Sequence, residues 1–204
     1  MAVCGGYLRA WPAPAAAIVM AVGLASCAVP PEPAPSGVAP APSGGMTSTE
    51  RLANDLIEAD TAFAANQMER LAEHVRAIEL AGARPFDPPG EAALQAWRSA
   101  LPPEQRPMRG RVLGPAYISG RLAPGGKLRT EQVMLGGKPV SVAAGTAPRT
   151  GLRLRIARAD GNMVCEQSPA HARECRFIPA YTQRYRIELV NSGARDARYH
   201  IVFD

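Results

Sequence analysis

The pentapeptide Leu152-Arg153-Leu154-Arg155-Ile156 alternates apolar and charged residues without a break. Successive side chains of a β-strand point to opposite faces, so the pattern predicts a strand with one face buried and one in water. Asp160-Gly161 follows, a pair suited to the backbone of a two-residue hairpin turn, and leads into Met163-Val164-Cys165 as the returning strand. The same period of two recurs at Cys175-Arg176-Phe177-Ile178, at Tyr185-Arg186-Ile187-Glu188-Leu189 and at Tyr199-His200-Ile201-Val202-Phe203. Upstream, Tyr117-Ile118-Ser119 and residues 128–135 and 139–143 also read as strands. Gly136-Gly137-Lys138 is expected to join the last two as a hairpin, and Asn191-Ser192-Gly193 with Arg195-Asp196 to turn the final two strands against each other. About eight short strands separated by Gly, Pro and Asn turns predict a mainly β fold, a jelly-roll-like antiparallel β-sandwich over residues 110–204.

Before this region the period lengthens. Leu52, Leu56, Ala59, Phe63, Leu71, Val75 and Ile78 fall mostly three or four residues apart, one face of an amphipathic helix running to about Leu80. Thr47 or Ser48 is placed to cap it, with Glu50 in the first turn. Asn66, Gln67 and Arg70 weaken the stripe, so a bend is expected there, and Gly82 and Pro85 end the helix. Asp87-Pro88-Pro89-Gly90-Glu91 starts a second, shorter helix, with prolines tolerated in the first turn. Pro102-Pro103 stop it, and Trp97 is expected to anchor it on the first helix or on the β domain. The sequence thus predicts two helices within a helical region spanning residues 47–109.

The N-terminal part reads as an address. The apolar run from Ala13 to Leu24 is shorter than the roughly 20 residues a permanent membrane helix needs. It follows Arg9 and closes on Leu24-Ala25-Ser26-Cys27, the arrangement of a cleavable signal. This ending resembles a bacterial lipobox, which implies removal of residues 1–26 and lipidation of Cys27. Residues 27–46 form a tether rich in Pro, Ala, Gly and Ser, a composition that cannot bury a core and stays disordered. Ala28 rather than Asp follows the cysteine, so the expected location is the bacterial envelope, facing the periplasm, at the outer membrane rather than the inner.

Removing the leader leaves Cys165 and Cys175 as the two cysteines free to react. Two cysteines close in sequence in an exported chain predict a disulfide. A metal at this pair would find only His171 nearby, and zinc takes at least three protein ligands. The charge of +5 is unevenly spread. Residues 46–111 hold 8 basic and 10 acidic side chains, whereas residues 112–204 hold 14 basic and 7 acidic, the basic ones almost all arginine.

The residues of the β region, Leu152-Arg153-Leu154-Arg155-Ile156, Asp160-Gly161-Asn162, Tyr185-Arg186-Ile187-Glu188-Leu189, Asn191 and Tyr199-His200-Ile201-Val202-Phe203, resemble the bacterial pre-peptidase C-terminal domain. That family is a small jelly-roll sandwich on secreted proteins, and the resemblance implies an auxiliary, non-catalytic module. The chain departs from it at Arg184, where the family carries glycine, and in its cysteine pair. The chain as a whole also resembles lipoproteins of Gram-negative bacteria.

No motif supplies catalytic chemistry. The histidines His74, His171 and His200 are scattered. His74 is expected on the solvated side of its helix, and His200 is expected to point away from the core that Tyr199 and Ile201 fill. No G-x-S-x-G, H-E-x-x-H or phosphate-loop pattern occurs. The dispersed carboxylates do not form the oxygen-rich loop calcium requires. The expectation is therefore no enzyme, no cofactor, no metal and no nucleic acid. Arg153, Arg155, Arg158, Arg184 and Arg186 are the candidate anion-binding face, with His200 placed beside it. Its partners would be peptidoglycan, anionic lipid or an envelope protein, in addition to membrane lipid at the N-terminal anchor. The alternative is a structural accessory subunit that docks into an envelope complex through its amphipathic helices.

Overall fold

The chain builds three layers, helices on one sheet and that sheet on a second. A computed structural model describes residues 45–103 and 114–204. The signal segment, Cys27 and the tether up to residue 44 lie outside the described residues.

The helical layer begins with α1 (Ser48–Ala64), capped as its sequence foretells. Thr47 Oγ1 accepts from Glu50 N at 3.2 Å, and Glu50 Oε2 accepts from Thr47 N at 2.8 Å. The single long helix expected to reach Leu80 is instead two. Asn66 adopts a left-handed backbone, φ 54°, and the chain reverses into α2 (Met68–Leu80). Asparagine tolerates this conformation better than most residues. Glu58 pairs with Arg70 and Asp55 with His74, so α1 and α2 run antiparallel. His74 is correspondingly not solvated: its Nδ1 lies 3.0 Å from Asp55 Oδ1. A two-residue strand, β1 (Arg84–Pro85), precedes α3 (Pro88–Ala100), whose cap is Asp87 with proline in the first turn. Three helices therefore stand where the periodicity predicts two.

The eight expected strands all form: β2 (Ala116–Leu122), β3 (Lys127–Met134), β4 (Val140–Ala147), β5 (Leu152–Arg158), β6 (Met163–Gln167), β7 (Glu174–Phe177), β8 (Gln183–Asn191) and β9 (Ala197–Phe203). They divide into a five-stranded sheet, β1-β2-β9-β4-β7, and a four-stranded sheet, β3-β8-β5-β6. Among these strands every pairing is antiparallel except β1 with β2. Asp160-Gly161 does join β5 to β6 as a hairpin. Two other turns do not act as expected. Gly136-Gly137-Lys138 carries the chain from β3 in the four-stranded sheet to β4 in the five-stranded one, and residues 192–196 cross back from β8 to β9. Turn residues specify that the chain reverses, not which sheet receives the next strand.

One core fills the space between the sheets, with Leu152, Leu154, Ile156, Ile187, Leu189 and Ile201 inaccessible or nearly so. A second lies between the helices and the outer side of the five-stranded sheet, where Leu56, Leu71, Val75, Ile78 and Trp97 meet Tyr117, Ala143 and Val202. Most of the apolar stripe is thus buried within the chain, whereas Phe63 and Leu80 stay exposed. Arg98 Nε donates to Glu79 Oε1 at 2.7 Å, linking α3 to α2. Arg149 does the same with Glu58, linking α1 to the β4–β5 connection.

Cys165 and Cys175 form a disulfide, with Cα atoms 5.8 Å apart. The two half-cystines do not lie on neighbouring strands of one sheet. Cys165 belongs to β6 and Cys175 to β7, edge strands of different sheets, so the bond closes one side of the sandwich. Reducing it should lower stability by about 2–3 kcal/mol on the chain-entropy account for so short a loop. Denaturation midpoints with and without reductant measure this; coincident midpoints would mean that the pair is open in the native protein.

Candidate functional site

Alternation along β2 and β9 decides which side chains face the helices. Tyr117, Ser119 and Arg121 on β2 lie opposite Val202, His200 and Arg198 on β9. The apolar pair is covered, the middle pair is buried and polar, and the last pair reaches the edge of the helical layer.

His200 is only 3% exposed, yet both ring nitrogens are satisfied. Nδ1 lies 2.8 Å from Ser119 Oγ, and Nε2 lies 3.2 Å from Asp60 Oδ2 on α1. Ser119 N donates to Asp87 Oδ2 at 2.9 Å, while Asp87 Oδ1 accepts from Gly90 N. Trp97 and Tyr117 stand edge-on to the imidazole, with centroids 6.0 and 6.3 Å away. Burial pushes the Tyr117 phenol well above the ordinary tyrosine range. Parity correctly sends His200 away from the sandwich core. It does not lie beside the arginine face, however, because β9 belongs to the other sheet.

Serine, histidine and aspartate in line invite comparison with a hydrolytic triad. These hydrogen bonds also join separate elements of the fold. The Ser119 amide is engaged by Asp87, and Asp87 also caps α3, so one chain of hydrogen bonds ties α3, β2, β9 and α1 together. A buried polar group is tolerated when its partners are present. Among the described residues, no group of three His, Cys, Asp or Glu is placed to hold a metal ion.

Next to this network opens a cleft of about 560 Å³, lined in part by Asp60, Phe63, Pro89, Arg121, Arg198 and His200. A second cleft of about 360 Å³ shares Arg121 and Arg198 and adds Arg195 and Asp196. Arg121 and Arg198 are directly cross-strand, a position where like charges repel. Asp60 lies 3.6 Å from Arg198, and among the described residues no carboxylate pairs with Arg121. The chain thus holds two guanidinium groups over these clefts, with Asp60 beside Arg198 and Asp196 lining the second cleft. Nothing local in the sequence marks this site. Arg121 and Arg198 are far apart in the chain, and Asp60 arrives from a helix whose placement on the sheet is a tertiary fact.

The arginines singled out from the sequence sit on the four-stranded sheet. β5 and β8 are neighbours, so Arg153, Arg155, Arg184 and Arg186 do share its outer face. Arg158 does not: it lies opposite Tyr185, a core side chain, and so has the inward parity at the exposed end of β5. The face is a mixed lattice rather than a purely basic one. Arg155 and Arg153 both reach Glu166, at 3.0 and 3.4 Å. Arg184 lies 3.7 Å from Glu131 and Arg129 3.6 Å from Glu188. His171, between the two cysteines, accepts from Thr146 N through Nδ1 at 3.1 Å. Burial, then the nearby Arg149 charge, hold its pKa below the usual histidine range.

No protein-family model and no curated protein matches the chain. Among solved structures it is similar to a periplasmic inhibitor of g-type lysozyme from Aeromonas hydrophila, with 9% identity and a TM-score of 0.37, covering 44% of this chain and 84% of that one. It is similar to the Yersinia pseudotuberculosis-derived mitogen, with 12% identity and a TM-score of 0.38, covering 44% and 84%. The pre-peptidase C-terminal domain of a Bacillus anthracis collagenase, the family that the sequence resembles, is also among the similar structures, with 15% identity, a TM-score of 0.39 and coverage of 43% and 87%.

Proposed function

We propose that this chain is a lipid-anchored protein of the bacterial envelope whose sandwich is a non-catalytic binding module for a carboxylate-bearing envelope polymer, peptidoglycan being the reachable one. The observation that carries this reading is the cross-strand pair Arg121 and Arg198 over the cleft. Planar guanidinium groups suit bidentate contact with carboxylates, and Phe63 and Pro89 offer apolar wall to the rest of a ligand. A second surface has its own support: Lys127, Arg129, Arg153, Arg155, Arg184 and Arg186 outnumber Glu131, Glu166 and Glu188 on the outer face of the four-stranded sheet. The accessory-subunit reading is less favoured, because most of the apolar helix surface it would use is buried, leaving Phe63 and Leu80 exposed.

One sedimentation experiment with purified peptidoglycan at low salt separates these surfaces. Arg121→Glu should reduce retention about tenfold or more, the loss expected when a charge-assisted contact worth about 1.5–3 kcal/mol disappears. The pair Arg155→Glu and Arg186→Glu should leave retention nearly unchanged, and added salt should weaken it steeply. The reverse order of effects moves the site to the sheet face. A folded wild-type chain that is not retained at low ionic strength overturns the binding reading.

The anchor is tested separately. Cys27→Ser should abolish lipid labelling and move the protein to the soluble periplasmic fraction, since stable anchoring needs more than one acyl chain. Unlabelled Cys27→Ser protein that stays with the membrane would show another mode of attachment.

A further inference from the structure

Exposed apolar side chains are concentrated at one pole of the sandwich. The pole holds the ends of β3, β5 and β7 and the starts of β4, β6 and β8. Leu135, Ile178 and Tyr181 project there with 58%, 66% and 60% of their surface in water, and Val133 and Met163 are also exposed. The two connections that carry the first three are not loose. Gly136 N donates to Thr182 Oγ1 at 3.0 Å and Gly137 N to Pro179 O at 2.8 Å. Gly136 packs so closely that a Cβ there would lie 2.7 Å from Tyr181 Cα. The apolar tip is preformed and held out to solvent, an arrangement that costs little ordering entropy when a surface takes it up.

Charge identifies the occupant. Residues 133–140 and 176–186 carry Lys138, Arg176, Arg184 and Arg186 and no Asp or Glu. Among the described residues, the acidic groups of this pole are Asp160, whose carboxylate is engaged by Asn162, and Asp204. Glu131, one step along β3, faces Arg184. Apolar and tyrosine side chains ringed by long basic ones match the interface of an anionic bilayer, where the apolar groups enter the headgroup boundary and the cations meet phosphate. The first turn of α1 meets the five-stranded sheet opposite the middle of β4 rather than at the pole itself. Glu50, in that turn, accepts from Glu174 N at the start of β7.

We propose that this pole is a membrane-docking surface for an anionic bilayer, with Leu135, Ile178 and Tyr181 as the inserted side chains and Lys138, Arg176 and Arg184 as the phosphate contacts. The docked protein points the Arg121–Arg198 cleft away from the lipid, because residues 192–196 and the start of β9 lie at the opposite pole. A second copy of the chain is the competing occupant.

Hydrogen–deuterium exchange on the full-length protein tests this, comparing vesicles of phosphatidylcholine alone with vesicles that also contain phosphatidylglycerol. Exchange at residues 135–139 and 178–182 should slow at least fivefold on the anionic vesicles, while residues 192–196 exchange as before. Ile178→Asp with Tyr181→Asp, both at exposed positions, should remove that protection and leave the rest of the exchange pattern unchanged. Lys138→Glu with Arg184→Glu, a milder surface change, should do the same if the aspartate variant fails to fold. Three results would overturn the proposal: no protection on anionic vesicles, equal protection on neutral ones, or protection that grows with protein concentration without vesicles, which would assign the tip to a second copy.

Discussion

Gly145→Ala should destabilise the protein by about 3 kcal/mol or more, at the upper end of what overpacking costs, because the obstruction is backbone on both sides. Gly145 lies on β4 directly under α1, and a Cβ there would overlap the Ala53 carbonyl oxygen, far inside van der Waals contact distance. Ala53 is completely buried, so α1 rests on β4 through a small side chain and its own backbone. A methyl group cannot be absorbed by a rotamer change. The helix would have to lift, exposing Leu56 and opening the layer that Ala143 and Val202 share with it. Urea denaturation measures the effect. A midpoint change equivalent to less than about 1 kcal/mol would mean that α1 does not seat on β4 as described.

Trp97→Ala should cost about 3–5 kcal/mol, the range for removing a large buried aromatic side chain. Trp97 is 1% exposed and stands edge-on to His200, filling the space between α3 and the five-stranded sheet. Its loss also bears on the cleft. α3 carries Pro89 at the cleft wall, and Asp87 at its cap holds the Ser119 amide. The expected result is a lower denaturation midpoint together with faster proteolysis around residues 86–101 under native conditions. Unchanged protease resistance alongside a lowered midpoint would show that α3 stays docked without its anchor.

The strands were legible because the information for them is local. Leu152, Leu154 and Ile156 turn inward and Arg153 and Arg155 outward in any antiparallel sheet, whatever its neighbours. The same holds for the Thr47–Glu50 cap and the Asp87 cap, where donor and acceptor lie three residues apart. The helix break was less legible, since Asn66 and Gln67 weaken the stripe without stating how far the chain turns. The candidate cleft was not legible at all.

Residue pattern alone settled the period of the eight sandwich strands β2–β9, the caps at Thr47 and Asp87 and the pairing of Cys165 with Cys175. Each depends on residues near one another in the chain or on a choice with one sensible partner. Folding in three dimensions decided that β3 and β4 part into different sheets, that the disulfide joins two edges, and that His200 is buried under α1 rather than lying among the arginines. Hydrophobic burial is non-directional, so an alternating strand is satisfied equally by either sheet. The choice falls to packing between distant segments, such as the fit of Ala53 over Gly145 and of Asp60 against His200.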